Sequence, residues 1–106
     1  MALGPVLELP HDLATCIYDV LFDQGIQVES LNEDLRFRGR GGHITGHVRR
    51  RKDSVLLWLT CHDTRAFNPF VWFFDYSLSK KVARALKRRG AKQVKWSEFN
   101  KANKGK

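Results

Sequence analysis

The sequence predicts an α+β fold: an antiparallel sheet of three to five strands with two helices, in the order roughly α-β-β-β-β-α-(β). Three patterns carry that expectation. Leu13, Ile17, Val20 and Leu21 recur at the spacing of one helix face. Between residues 35 and 51 the apolar period becomes two on either side of a glycine-rich turn. Residues 77–90 (SLSKKVARALKRRG) place serines before a helix-period run and a glycine after it. The 106 residues fit one domain over 1–100, followed by a flexible basic tail at 101–106 (KANKGK). That length can bury a core without metal or disulfide staples.

Residues 1–9 read as a short edge strand or an ordered arm. Pro10 and Asp12 open the first helix, Cys16 and Phe22 widen its apolar stripe, and Gly25 stops it. The run 26–31 is compatible with a short strand, and Asn32–Asp34 with a turn. In 35–38 (LRFR), Leu35 and Phe37 share one face while Arg36 and Arg38 share the other. After GRGG, Ile44, Gly46 and Val48 alternate with His43, Thr45, His47 and Arg49. Lys52-Asp53 turns into SVLLWLTC (54–61), and FVWFFDY (70–76) follows a loop at 62–69. Both runs are apolar at nearly every position, as in strands covered on both faces. Ser77 or Ser79 caps the second helix, which ends at Gly90. Gln93–Trp96 reads as a last strand, and Ser97-Glu98-Phe99 as the start of one further turn.

Charge divides the chain in two. The first 34 residues hold seven acids and no lysine or arginine; the remaining 72 hold all 19 basic residues and four acids. The two parts carry −7 and +15, and the whole carries +8. A basic balance of this size points to nucleic acid, an acidic protein or an anionic surface as partner. The two cysteines, Cys16 and Cys61, sit in apolar surroundings suited to reduced thiols. No secretory signal is evident, and the longest apolar runs are too short to span a bilayer. The expected location is cytoplasmic, or nuclear in a eukaryote, without a membrane partner.

Two elements concentrate the positive charge. On the second helix Lys80, Lys81, Arg84, Lys87 and Arg88 fall within about 120° of arc, opposite Leu78, Val82, Ala85 and Leu86. No acid lies between Tyr76 and Ser97, so no partner one turn away relieves the repulsion. A solvated helix face would tolerate this arrangement; a polyanion would complete it. The hairpin adds Arg36, Arg38, Arg40, Arg49, Arg50, Arg51 and Lys52, with His43 beside the turn. Arginine forks suit bidentate phosphate or guanine contacts, although charge also blunts an edge hairpin against aggregation. Trp58, Trp72, Phe74 and Tyr76 alternate along the apolar runs. On an open sheet they would stack bases, whereas a covered sheet would use them as core or as a dimer interface.

Metal and catalytic patterns are sparse. His43 and His47 are four residues apart, but on a strand that separates them by roughly 13 Å. Cys61-His62 lacks a partner motif. Asp63, Asp75 and Glu98 with Lys80 could form a metal-dependent nuclease site, at spacings that do not define one. No phosphate-binding loop or nucleophile elbow is present, and no cofactor or metal is expected.

The order helix, three strands, helix, with GRGGH (39–43) between two strands and SKKVARAL (79–86) opening the last helix, resembles the double-stranded RNA-binding domain. The likeness covers residues 12–89 in outline. It implies RNA contacts from the His43 loop and from Lys80 and Lys81. The chain departs from that pattern in lacking the loop proline and in the added run 70–76.

These readings converge on a small non-enzymatic nucleic-acid-binding protein, for DNA or RNA, gripping phosphates through the hairpin 35–52 and the helix face 79–89. The alternatives are a viral or phage-type regulator docking a protein through its acidic N-terminal third, and the nuclease. Two helices cover one sheet face more readily than two, so an apolar second face would favour a homodimer.

Overall fold

A computed structural model describes residues 4–39, 42–61 and 69–104. Ten elements follow in chain order: β1 (Val6–Pro10), α1 (His11–Thr15), α2 (Ile17–Phe22), β2 (Gln27–Leu31), β3 (Asp34–Gly39), β4 (Gly42–Arg50), β5 (Ser54–Cys61), α3 (Pro69–Arg88), β6 (Lys92–Val94) and α4 (Trp96–Lys104). The strands form one antiparallel sheet in the order β2-β3-β4-β5-β1-β6. The α+β class holds, but with six strands and four helices described in place of three to five and two.

β2 to β5 form the expected meander. The β2–β3 link is the two-residue loop Asn32–Glu33, with Leu31 opposite Asp34. Asn32 there takes φ 55°, a region asparagine tolerates better than most residues. β1 lies inside the sheet, between β5 and β6, and is no edge strand. Its pairing to β5 sets Leu7 opposite Leu57 and Leu9 opposite Val55.

Strand alternation sends one set of side chains to each face. On the first, Leu7, Leu9, Phe37, Ile44, Leu57 and Leu59 meet Leu13, Ile17 and Leu21 of α1–α2 and Leu78, Val82 and Leu86 of α3. Gly46 makes room in this layer. A Cβ there would stand 2.6 Å from the Phe37 ring and 2.7 Å from Leu57, so the missing side chain lets Phe37 lie across β4. On the second face a smaller cluster of Val6, Leu56 and Phe99 forms under α4, with Trp58, Val94 and Ala102 against it.

Three expectations are corrected. The run Phe70–Tyr76 is not a strand; it belongs to the 20-residue helix α3, which begins at Pro69. Apolar residues at nearly every position carry no period, so the pattern could not separate a strand from a buried helix. Ser77 and Ser79 accordingly sit within α3 and cap nothing. The first helix is two short ones broken at Cys16 (φ −106°, ψ 16°). Leu13, Ile17, Val20 and Leu21 are buried as the stripe requires, but Phe22 is 76% exposed. Gly25, at φ 76°, follows α2 in the left-handed region. Finally, α4 runs through Lys104, where the sequence suggested a tail from 101; residues 105–106 lie outside the described residues.

Candidate nucleic-acid interface

The helical half of the site follows from the packing of α3. Leu78, Ser79, Val82, Ala83, Ala85 and Leu86 are buried, and Lys80, Lys81, Arg84, Lys87 and Arg88 are exposed. The Lys80 ammonium lies 4.7 Å from the centre of the Tyr76 ring, and Lys87 donates to Gln93 Oε1 at 2.6 Å. No carboxylate faces these five cations among the described residues. Lys80, Arg84, Lys87 and Arg88 flank an open groove of about 850 Å³ between α3 and the β1–β6 edge, with Gly4, Pro5 and Gln93 as its other wall.

Four of the hairpin residues, Arg36, Arg38, His43 and Arg49, occupy the opposite side of the sheet, whereas Arg50 lines a cleft beside Tyr18 on the helix side. Arg36, Arg38, His43 and Arg49 alternate with the core residues Phe37, Ile44 and Val48, so they stand on the face away from α3. Register aligns three cross-strand rows there: Arg38 with His43; Arg36 with Thr45 and Thr60; Asp34 beside His47 and Trp58. Same-face rows are about 6.8 Å apart along a strand. The helix face and the hairpin face are therefore separate surfaces. They approach at the hairpin's end, where a Cβ on Gly39 would stand 3.1 Å from Leu78 Cδ1 of α3.

Several sheet cations face acids contributed by the N-terminal third. Arg38 lies 3.7 Å from Glu29. Arg51 donates to Glu8 Oε2 at 3.1 Å and to Glu98 Oε2 at 2.8 Å, and Ser54 Oγ also donates to Glu8 Oε2 at 3.1 Å. Asp34 accepts from the Val48 amide at 3.3 Å and lies 3.2 Å from His47 Nδ1. Arg49 sits 5.1 Å over the Phe99 ring and donates from Nη1 to its neighbour's carbonyl, Val48 O, at 3.0 Å. Arg36 has no ion pair or hydrogen bond among the described residues. Arg40 lies outside them.

An aromatic cluster that sequence reasoning only half found adjoins these cations. Trp58 is half-buried on β5, packed against the cluster under α4. Its companions are His47, with ring centres 5.3 Å apart, Trp96 at 6.0 Å in an edge-on arrangement, and Phe99 at 5.5 Å. Trp72, Phe74 and Tyr76 belong to α3 instead. Trp96 is 49% exposed at the start of α4. Its spacing of three from Phe99, straight after a short strand, was the available signal. Beneath α4, Trp58 Nε1 and Arg49 Nε are buried with no hydrogen-bond acceptor among the described residues.

The nuclease residues do not converge among the described side chains. Lys80 lies on the α3 side of the sheet, and Glu98 lies on the α4 side, held by Arg51. Asp63 is outside the described residues, as is the side chain of Asp75. No group of three His, Cys, Asp or Glu side chains able to hold a metal occurs among the described residues. No described helix is long and apolar enough to cross a membrane.

Comparison with family models, curated proteins and solved structures finds no match to this chain. In architecture, four strands rather than three separate α2 from α3, and β1 and β6 extend the sheet beyond them.

Proposed function

We propose that this protein binds nucleic acid without chemically altering it, gripping phosphates through the exposed face of α3 and the basic residues of the hairpin 35–52. One observation carries the reading: Lys80, Lys81, Arg84, Lys87 and Arg88 all project from one helix face, with no carboxylate facing them among the described residues. Clustered like charges repel one another, and a phosphate backbone relieves the repulsion while releasing counterions. The hairpin supplies Arg36, Arg38 and His43 on the other side of the sheet, so a strand passing the Gly39 end could touch both surfaces. Arg51, bound to two carboxylates, serves mainly to join β1, the β4–β5 turn and α4.

Fluorescence anisotropy with labelled DNA and RNA, single- and double-stranded, tests the reading. Binding at low salt that weakens linearly in log affinity against log salt is the expected result. Absence of binding to every form at low salt would refute it.

A second reading is favoured by the surface of α1–α2. Phe22 is 76% exposed and Tyr18 45% exposed, among the exposed acids Asp12, Asp19 and Asp23. Beside Tyr18 a cleft of about 340 Å³ opens onto Leu9, Ala14 and Val48. Aromatic side chains ringed by acids suit a basic protein partner. A stoichiometric protein partner that survives nuclease treatment, and is lost in Phe22→Ser, would support this role; a nuclease-sensitive association would exclude it. A homodimer through an apolar sheet face has less to rest on, since α4 already covers Val6 and Leu56 within the chain.

A further inference from the structure

We infer that the sheet face away from α3 is a stacking platform for an extended single strand of nucleic acid, with Trp96, backed by Trp58, taking a base and Arg36 and Arg38 taking phosphates. The inference rests on the nucleic-acid reading and narrows it to the form bound at this face.

Three observations lead there. First, α4 closes only part of the face. Val6, Leu56 and Phe99 are covered, while Arg36, Thr45, Thr60, Arg38 and His43 are not part of this cluster and lie further along β3, β4 and β5, toward the Gly39 end. Second, the border of the covered part is aromatic. Trp96, half-exposed, stands edge-on to Trp58, and His47 inclines to the same ring at 40°. Asp34 holds His47 through Nδ1, which fixes the imidazole plane. A ring ordered on one side and open on the other is what a base needs for stacking. Third, the charge beyond the aromatics is positive and partly oriented. Arg36 is free of partners among the described residues, and Arg38 is held only by a surface pair with Glu29 at 3.7 Å.

The arrangement favours a single strand over a duplex. In a duplex the bases are stacked on one another, so an aromatic ring on a broad sheet meets only sugar and phosphate. A single strand can splay a base onto Trp96 while its backbone crosses toward Arg36 and Arg38. Stacking of this kind tolerates any base, so the face would read strandedness more than sequence.

The test compares Trp96→Ala with the parent protein on oligo-uridine, oligo-thymidine and a duplex, by anisotropy at low salt. Trp96→Ala should weaken binding of at least one single strand about tenfold and leave duplex affinity within about twofold. Trp96→Phe should restore most of the loss. The slope of log affinity against log salt should stay unchanged, because no cation is removed. The strand whose affinity falls identifies the sugar that the face accepts. Arg36→Glu provides a second variant should Trp96→Ala unfold; it should also weaken single-strand binding and, unlike Trp96→Ala, flatten the salt slope.

If Trp96→Ala folds and changes neither form, or weakens both forms equally, the platform is wrong. The nucleic-acid reading would still stand on duplex or single-strand binding lost with charge reversal on α3. If no form binds the parent protein, both readings fall together.

Discussion

The two basic surfaces of this protein differ in what faces their cations. On α3, five cations project from one helix face, and Lys87 donates to the Gln93 side chain rather than to a carboxylate. On the sheet side, Arg38 meets Glu29, Arg51 meets Glu8 and Glu98, and His47 meets Asp34; of these acids Glu29, Glu8 and Asp34 come from the N-terminal third and Glu98 from α4. The acid-only segment is therefore no uniform acidic shell. It sends three acids into strands to hold particular basic side chains and leaves Asp12, Asp19 and Asp23 on the helical surface. Unheld cations supply long-range attraction that salt screens, whereas held cations present a set direction at short range. On this view α3 provides affinity, and the sheet face provides discrimination.

The largest effect is expected from reversing charge on α3. The triple variant Lys80→Glu, Lys81→Glu, Arg84→Glu should lower nucleic-acid affinity on the order of a hundredfold at low salt and flatten the salt dependence. Stability should fall by no more than about 0.5 kcal/mol per substitution, since all three side chains are exposed and the reversal relieves repulsion along the helix face. Anisotropy and urea unfolding measure the two quantities. A loss no greater than that from the same reversals at Lys101 and Lys104 would shift the affinity away from α3.

Gly46→Ala probes the sheet from its packed side. The new methyl would meet Phe37 and Leu57 at distances real Cβ atoms do not adopt. Overpacking of this kind costs about 1–3 kcal/mol, read as a lower urea midpoint at unchanged slope. Because β4 carries His43, Thr45 and His47 on its other face, the same variant should loosen single-strand binding while leaving contacts through α3 intact. Unchanged stability would mean that Phe37 moves aside easily and that this layer is looser than its burial implies.

How far these surfaces were legible in the sequence depends on whether a pattern was local. The α3 cation face was, because the 3.6-residue period of Leu78, Val82, Ala85 and Leu86 fixes its opposite side. The hairpin's two faces were too, since LRFR and HITGHVR alternate strictly. The N-terminal half of α3 was hidden by its own apolarity: FVWFF (70–74) has no polar position from which to count a period. The place of β1 was hidden for another reason. Its pairing with β5 joins residues about fifty positions apart, and nothing within VLELP distinguishes an inner strand from an edge. Trp96 escaped for a similar reason, since only the return of α4 across the sheet brings it to Trp58.

Glu8→Ala tests the held cations. It would leave Arg51 with Glu98 alone and Ser54 Oγ without its acceptor. Arg51 and Glu8 are each about one-third exposed, so solvent moderates the cost, and a loss of about 1–2 kcal/mol in urea unfolding is expected. Binding through α3 should stay within about twofold. A large binding defect with unchanged stability would instead give Arg51 a direct role at the nucleic acid, and the division between held and unheld cations would fail at that residue.

The smallest effect is the one most specific to the comparison. Glu29→Gln removes the carboxylate 3.7 Å from Arg38 at an exposed pair, whose contribution to stability is well under 1 kcal/mol. Unfolding should be unchanged, and freeing Arg38 should raise affinity about twofold at low salt, with the gain vanishing as salt screens it. The direction matters more than the size. If Glu29 only neutralises Arg38, affinity rises for single strand and duplex alike. If Glu29 also orients Arg38 toward a strand lying across the sheet, duplex affinity rises while single-strand affinity stays level or falls, because the added charge is offset by lost direction. The sign of the single-strand change therefore separates a sheet face that merely attracts from one that positions.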